Sequence, residues 1–219
     1  MHSALLITVG LGLVLEALAT GIFLRGQLTN QEMKVHPVTW FGLSAVMTVG
    51  TWSSRSSGAT WGTSILWLMT AGTWLVFIIS LWHLWRNPKR VYPATKLDLG
   101  LLVFGLVLLA ARAIGLPPLW SAVAAVVGDS CFLWPTLREL WDDPTSAGWH
   151  GKWNWTLATV ATVLAVFSLE KYTVASMLYP IYIIGSTGLV AAACWGWAPS
   201  KDQYHRFKTW RKTHFKGRA

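Results

Sequence analysis

Seven apolar segments, spread along nearly the whole chain, limit what this sequence can fold into. They run over roughly 4–24, 38–53, 61–85, 98–116, 119–137, 153–169 and 173–197. Most approach the ~20 residues that an α-helix needs to cross a hydrocarbon core about 30 Å thick. A soluble domain could not bury so much apolar surface, whereas lipid solvates it directly. Composition agrees: 53% of the 219 residues are hydrophobic and only 12% are charged, about half the usual charged share of a soluble domain. The expected class is an all-α membrane protein with seven transmembrane helices. The second segment has the weakest pattern, because it holds Ser44, Thr48 and two glycines, but Trp40 and Trp52 bracket it as an interfacial pair. The first segment, with Ala17-Leu18-Ala19 late in its run, has the outline of a secretory leader. It lacks a basic n-region and carries Glu16, so it reads as a retained helix.

Charge sets the expected orientation. With the N-terminus outside, the inner connections and tail carry Arg25, Lys34, Arg86, Lys89, Arg90, Lys96, Arg138, Lys152, Lys201, Arg206, Lys208, Arg211, Lys212, Lys216 and Arg218. The outer side carries only Arg55, Arg112 and Lys171. Fifteen against three is a strong positive-inside bias, and it fits an odd number of spans. Most of the sixteen tryptophans fall at segment ends, where indole sits at headgroup level. Trp52, Trp61 and Trp120 mark the outer interface, and Trp82, Trp85, Trp134, Trp141, Trp149, Trp153 and Trp195 are among those on the inner one. Trp67 and Trp74 lie well inside the third segment and are not explained this way; they face lipid, pack in the bundle or line a cavity.

The two halves superpose at a shift of 109 residues: Phe23-Leu24 falls on Phe132-Leu133, Leu28 on Leu137, Trp40 on Trp149 and Gly42 on Gly151. The segments then divide into a first three-helix unit (1–90), a linker helix (91–117), a second three-helix unit (118–198) and a basic cytoplasmic tail (199–219). Both units start on the same side, so they form two parallel repeats about an axis along the membrane normal.

This 3+1+3 layout resembles the SWEET and PQ-loop group of transporters. In that group a Pro-Gln pair ends the first helix of each repeat. Here Arg25-Gly26-Gln27-Leu28 and Trp134-Pro135-Thr136-Leu137 stand at those places, and each keeps one member of the pair, Gln27 or Pro135. The resemblance implies a small-solute transporter, with an intramembrane carboxylate as its proton-coupling group. The stretch from Gly128-Asp129 to Arg138, with Asp143-Pro144 and Leu178-Tyr179-Pro180, also resembles an uncharacterised family of bacterial membrane proteins, which implies a bacterial cytoplasmic membrane.

Two acids lie inside apolar segments, Glu16 in the first and Asp129 in the fifth. A charge at the bilayer centre is costly, and such groups face a cavity or a partner. They are one turn out of register at the repeat shift, on the same face of equivalent helices. Two roles are open to them: a proton- or cation-handling pair between the halves, or hydrogen bonding to nearby hydroxyls such as Thr20 and Ser130. Pro135 and Pro180 each remove a backbone donor within a helix, allowing a gating kink or a static one. Asn154, flanked by Trp153 and Trp155, is a ligand-lining candidate beside Trp67 and Trp74; the bland alternative is a helix start in the aromatic belt. Snorkelling to headgroups is expected of Arg112, and interfacial placement of His83.

The tail from Lys201 to Arg218 alternates basic residues with Tyr204, Phe207, Trp210 and Phe215, which suits anionic lipid headgroups. A protein partner is the alternative, within a homo-oligomer or larger membrane complex. Nucleic acid is not an expected partner, because the net charge of +9 is not gathered on a soluble face. Cys131 and Cys194 lie in apolar stretches and read as small buried hydrophobes. The sequence carries no phosphate loop, zinc-type His/Cys cluster or serine elbow, and no lysine in the seventh segment for a retinal Schiff base; neither cofactor nor metal is expected. Three functions stay open: a proton-coupled transporter of unknown small-molecule substrate, a membrane-embedded enzyme of the terpene-cyclase kind acting on an isoprenoid or lipid, and an accessory subunit. The concentration of tryptophan at interfaces counts against the enzyme.

Overall fold

A computed structural model describes residues 2–29, 37–88, 91, 95–142 and 147–196. Among these the chain is all-helical, with seven helices: α1 (His2–Thr29), α2 (Pro37–Ser56), α3 (Thr63–Arg86), α4 (Lys96–Ala113), α5 (Pro118–Asp142), α6 (Gly148–Phe167) and α7 (Val174–Cys194). Each apolar segment became one helix. The helix starts follow local chemistry. Pro37 and Pro118 open α2 and α5 at the first helical position, where a missing N–H costs nothing. Thr173 caps α7 in a reciprocal box with Ser176. The ends of α2 and α4 close on glycines in the left-handed region, Gly58 (φ +97°) and Gly115 (φ +102°). There the bonds Ala59 N–H to Ser54 O and Leu116 N–H to Ala111 O satisfy the last carbonyls.

Three helices are long and apolar enough to cross a membrane: Ser3–Thr29 of α1, α3 and α7. Shorter apolar stretches cover Leu102–Ala113 and Pro118–Trp134. The bundle turns large apolar side chains outward, among them Leu11 and Val14 of α1, Ile78 of α3, Val103 and Val107 of α4, Val127 of α5, Val160 of α6 and Ile181 of α7. A water-facing surface would not carry so wide an apolar cover, whereas acyl chains solvate it.

Helix α2 is the exception, and its position explains its weak pattern. It packs against α3, α4, α5 and α7, and only Trp52, Arg55 and Ser56, at its end, are exposed. Protein rather than lipid surrounds it, so it can hold Ser44, Thr51, Ser53 and Ser54 in full burial. The other packed pairs are α1 with α3 and α6, α3 with α6, α4 with α5, and α7 with α5 and α6. One cluster of buried residues draws on every helix: Ala19, Val46, Met69, Leu108, Phe132, Ala158 and Tyr179 are members. A second, around Ile65, Leu66, Ala161 and Ala165, joins α3 to α6 and takes in Leu13 and Leu15 of α1.

Candidate functional site

Close helix approach begins with glycine. On α2, a side chain at Gly42 would run into the Phe132 ring of α5, and one at Gly50 into the Tyr179 ring of α7. The missing Cβ atoms let these rings approach the α2 backbone closely, and α5 and α7 are themselves a packed pair. Asp129 lies on this side of α5 and is buried. The Tyr182 hydroxyl of α7 is a polar neighbour of its carboxyl, and the Tyr179 ring stacks beside that of Tyr182, centroids 6.4 Å apart. Ser130 donates to Val126 O at 2.8 Å and lies 3.1 Å from Tyr182 Oη. Two buried polar atoms here have no partner, Asp129 Oδ1 and the Tyr179 hydroxyl. Pro180, between the tyrosines in sequence, is itself buried within α7.

Glu16 is set differently. The buried residues of α1 are Val9, Gly12, Glu16, Ala19, Phe23, Gly26 and Gln27, an alternating three- and four-residue spacing that makes one stripe. This stripe meets α3 and α6, with Gly12 against Ile65 and Leu164 and Gly26 against His150. Glu16 accepts from the Thr20 hydroxyl at 3.1 Å, and its Oε2 has no partner. Neither acid has a cationic partner among the described residues. The two carboxyls occupy separate surroundings, since α1 and α5 are not a packed pair.

The remaining predicted residues distribute over the bundle. Gln27 lies inside α1 rather than past its end and is buried. Its backbone carbonyl can only accept, so His83 Nε2, 3.0 Å away, is the donor. His83 is accordingly buried within the bundle. Trp74 is packed in the bundle: its indole N–H donates to Thr48 Oγ1 at 3.1 Å, and its ring meets Phe41 and Phe77 edge-on. Trp67 and Asn154 are half-buried on α3 and α6. Helix α5 passes through position 135 without a break, while the Pro135 side chain lies outside the described residues, as do Pro144 and the basic tail. Arg112 does more than reach for headgroups. It donates to Leu116 O at 2.8 Å and Ser56 Oγ at 2.9 Å, and lies over the Trp52 ring, tying α4 to the end of α2.

Sequence reasoning missed a clasp between two connections. Glu170, between α6 and α7, accepts from Thr60 N–H at 2.7 Å, Thr60 Oγ1 at 2.5 Å and Trp61 N–H at 2.8 Å, all in the α2–α3 connection. Partial burial raises its pKa, but these hydrogen bonds to the ionised form outweigh that and hold it below the usual carboxylate value. Sequence reasoning also gave no role to Tyr179 and Tyr182. Their three-residue spacing around a helix proline is the signal that could have found them.

No protein-family model, curated protein or solved structure matches this chain.

Proposed function

We propose that the chain is a seven-span, proton-coupled transporter of a small solute, with its N-terminus outside and Asp129 as the proton-carrying group. The deciding observation is the isolation of Asp129. A buried carboxyl with a bare oxygen and no cationic side chain beside it must be neutralised by a proton or a bound cation, because an uncompensated charge there is too costly. Its neighbours on α2 and α7 belong to both proposed units, so a change of its charge acts on the contact between them.

Helix packing supports two parallel units on either side of linker α4. Exchanging α1 with α5, α2 with α6 and α3 with α7 turns the pair α1–α6 into α5–α2, α1–α3 into α5–α7, α2–α3 into α6–α7, and α2–α7 into α6–α3; every one of these is a packed pair. Such bundles hold their sites between the units, as in the SWEET and PQ-loop layout that the sequence resembles.

The test is proton flux into liposomes that hold the purified protein and a pH-sensitive dye, driven by an imposed potential and repeated with a panel of small solutes. Solute-dependent flux in the wild type and its loss in Asp129→Asn are the expected results. Equal flux in the variant removes Asp129 from the coupling role.

A further inference from the structure

Asp129 is enclosed, but its neighbours make a stepped path outward: Asp129 is buried, Tyr182 half-buried and Ser130 exposed. Proton counting constrains how the three are bonded. A hydroxyl has one proton to give, and a carbonyl oxygen can only accept. When Ser130 donates to Val126 O, 2.8 Å away, its 3.1 Å contact with Tyr182 needs Tyr182 as the donor. Tyr182 then has no proton left for Asp129, and the carboxyl must be protonated and donate. When Asp129 is ionised it accepts from Tyr182, and Ser130 turns its proton from Val126 to Tyr182. The chain therefore has two self-consistent polarities, one for each state of the carboxyl.

We infer that Ser130 and Tyr182 form a hydroxyl relay carrying protons between Asp129 and the exposed edge of the α5–α7 contact. The relay rests on the proposed proton-carrying role of Asp129. In loading, a hydronium ion at the edge gives its proton to Ser130 Oγ, Ser130 passes its own to Tyr182 Oη, and Tyr182 passes its own to the carboxylate. Three O–H bonds form and three break, and one water is left behind. This transfer reverses the Tyr182–Asp129 and Ser130–Tyr182 bonds directly, and Ser130 then turns its new proton from the edge water to Val126 O, which completes the neutral polarity. Unloading is the reverse. Ser130 lies 12 residues into α5, about 18 Å along the helix. The relay needs water to reach Ser130 beside the apolar, exposed Val127 and Ile181, and thiol labelling at position 130 tests that access.

Two measurements on the purified full chain test the relay without a transported solute. The first follows hydrogen–deuterium exchange of the protonated Asp129 carboxyl by its infrared C=O band, assigned through its loss in Asp129→Asn. Tyr182→Phe, which keeps the ring and removes the oxygen, slows exchange at least about tenfold, and Ser130→Ala, at an exposed position, slows it similarly. The second is labelling by a water-soluble thiol reagent: in a Cys131→Ala background, Ser130→Cys reacts and Val127→Cys does not. Wild-type exchange rates in both relay variants, or an inert Ser130→Cys, overturn the relay. Loss of flux in Asp129→Asn with unchanged exchange in Tyr182→Phe and Ser130→Ala sinks the relay alone; unchanged flux in Asp129→Asn sinks the proton-coupled role beneath it.

Discussion

Glu16 and Asp129 are both buried mid-helix acids, yet they are held in different ways. Glu16 takes its hydrogen bond from Thr20, one turn along the same helix. Asp129 has its hydroxyl neighbour on another helix, in Tyr182. Glycines serve both contacts: near Glu16, Gly12 of α1 receives Ile65 and Gly72 of α3 faces Thr20, and near Asp129, Gly128 of α5 faces Val46 and Gly50 of α2 receives the Tyr179 ring. A carboxyl whose one hydrogen bond lies within its own turn keeps that bond when neighbouring helices move. One whose hydroxyl neighbour lies across an interface does not, so its protonation and the helix contact depend on each other. For the proposed transporter, this comparison assigns the coupling role to Asp129 rather than to Glu16. At a shift of 109 residues Asp129 falls on Thr20, the hydroxyl that serves Glu16.

The largest expected effect separates the two acids directly. In the vesicle assay, Asp129→Asn lowers proton flux by about 100-fold or more, the scale of a lost proton-transfer group, whereas Glu16→Gln costs less than about tenfold. Equal losses would dissolve the distinction. Next comes the rigidity of the two interfaces. Gly50→Ala drives a methyl into the Tyr179 ring and destabilises the fold by about 1–3 kcal/mol. Gly12→Ala meets mainly the flexible end of Ile65 and costs less than that range, below about 1 kcal/mol. Gly10, with open space around it, is the control. Unfolding titrations in detergent that rank Gly12→Ala with Gly50→Ala would show the interfaces to be equally rigid. Smaller again is Thr20→Val. It removes a hydrogen bond within one helix, at about 0.6 kcal/mol, the average for such bonds in membrane bundles, and leaves proton flux unchanged; a flux defect would make Glu16 a coupling acid too.

The smallest effect is at the Glu170 clasp, where the α2–α3 and α6–α7 connections meet. The folded-state pKa of Glu170 is depressed. Its contribution is therefore complete above the ordinary carboxylate pKa, and is lost as pH falls through the lowered folded value. The melting-temperature difference between wild type and Glu170→Gln should be present at neutral pH and vanish in strong acid. A difference that persists in acid would mean that the clasp does not depend on the Glu170 charge. The group is exposed, so screening keeps the difference small.

Legibility followed the range of each interaction. The seven helices were readable because apolar runs mark them, but their limits were not. Hydropathy registers the apolar length, whereas backbone hydrogen bonding carries α1 on to Thr29 and α5 to Asp142, and starts α6 at Gly148. The Thr20–Glu16 bond was readable because four residues of helix bring the groups together. Ser130 was an equally reasonable partner for Asp129, but its proton has a carbonyl one turn back and a tyrosine hydroxyl on α7 to serve instead.

What the sequence determined by itself is the all-helical class, the number of helices, the burial of two acids and the local bonds within each turn, because all of these depend on residues a few positions apart. Tertiary structure decided that the least apolar helix is the most enclosed, that Tyr179 and Tyr182 flank Asp129, and that Glu170 closes on Thr60 from 110 residues away. These depend on which helix faces align, and facing is a property of the packed bundle rather than of any one segment.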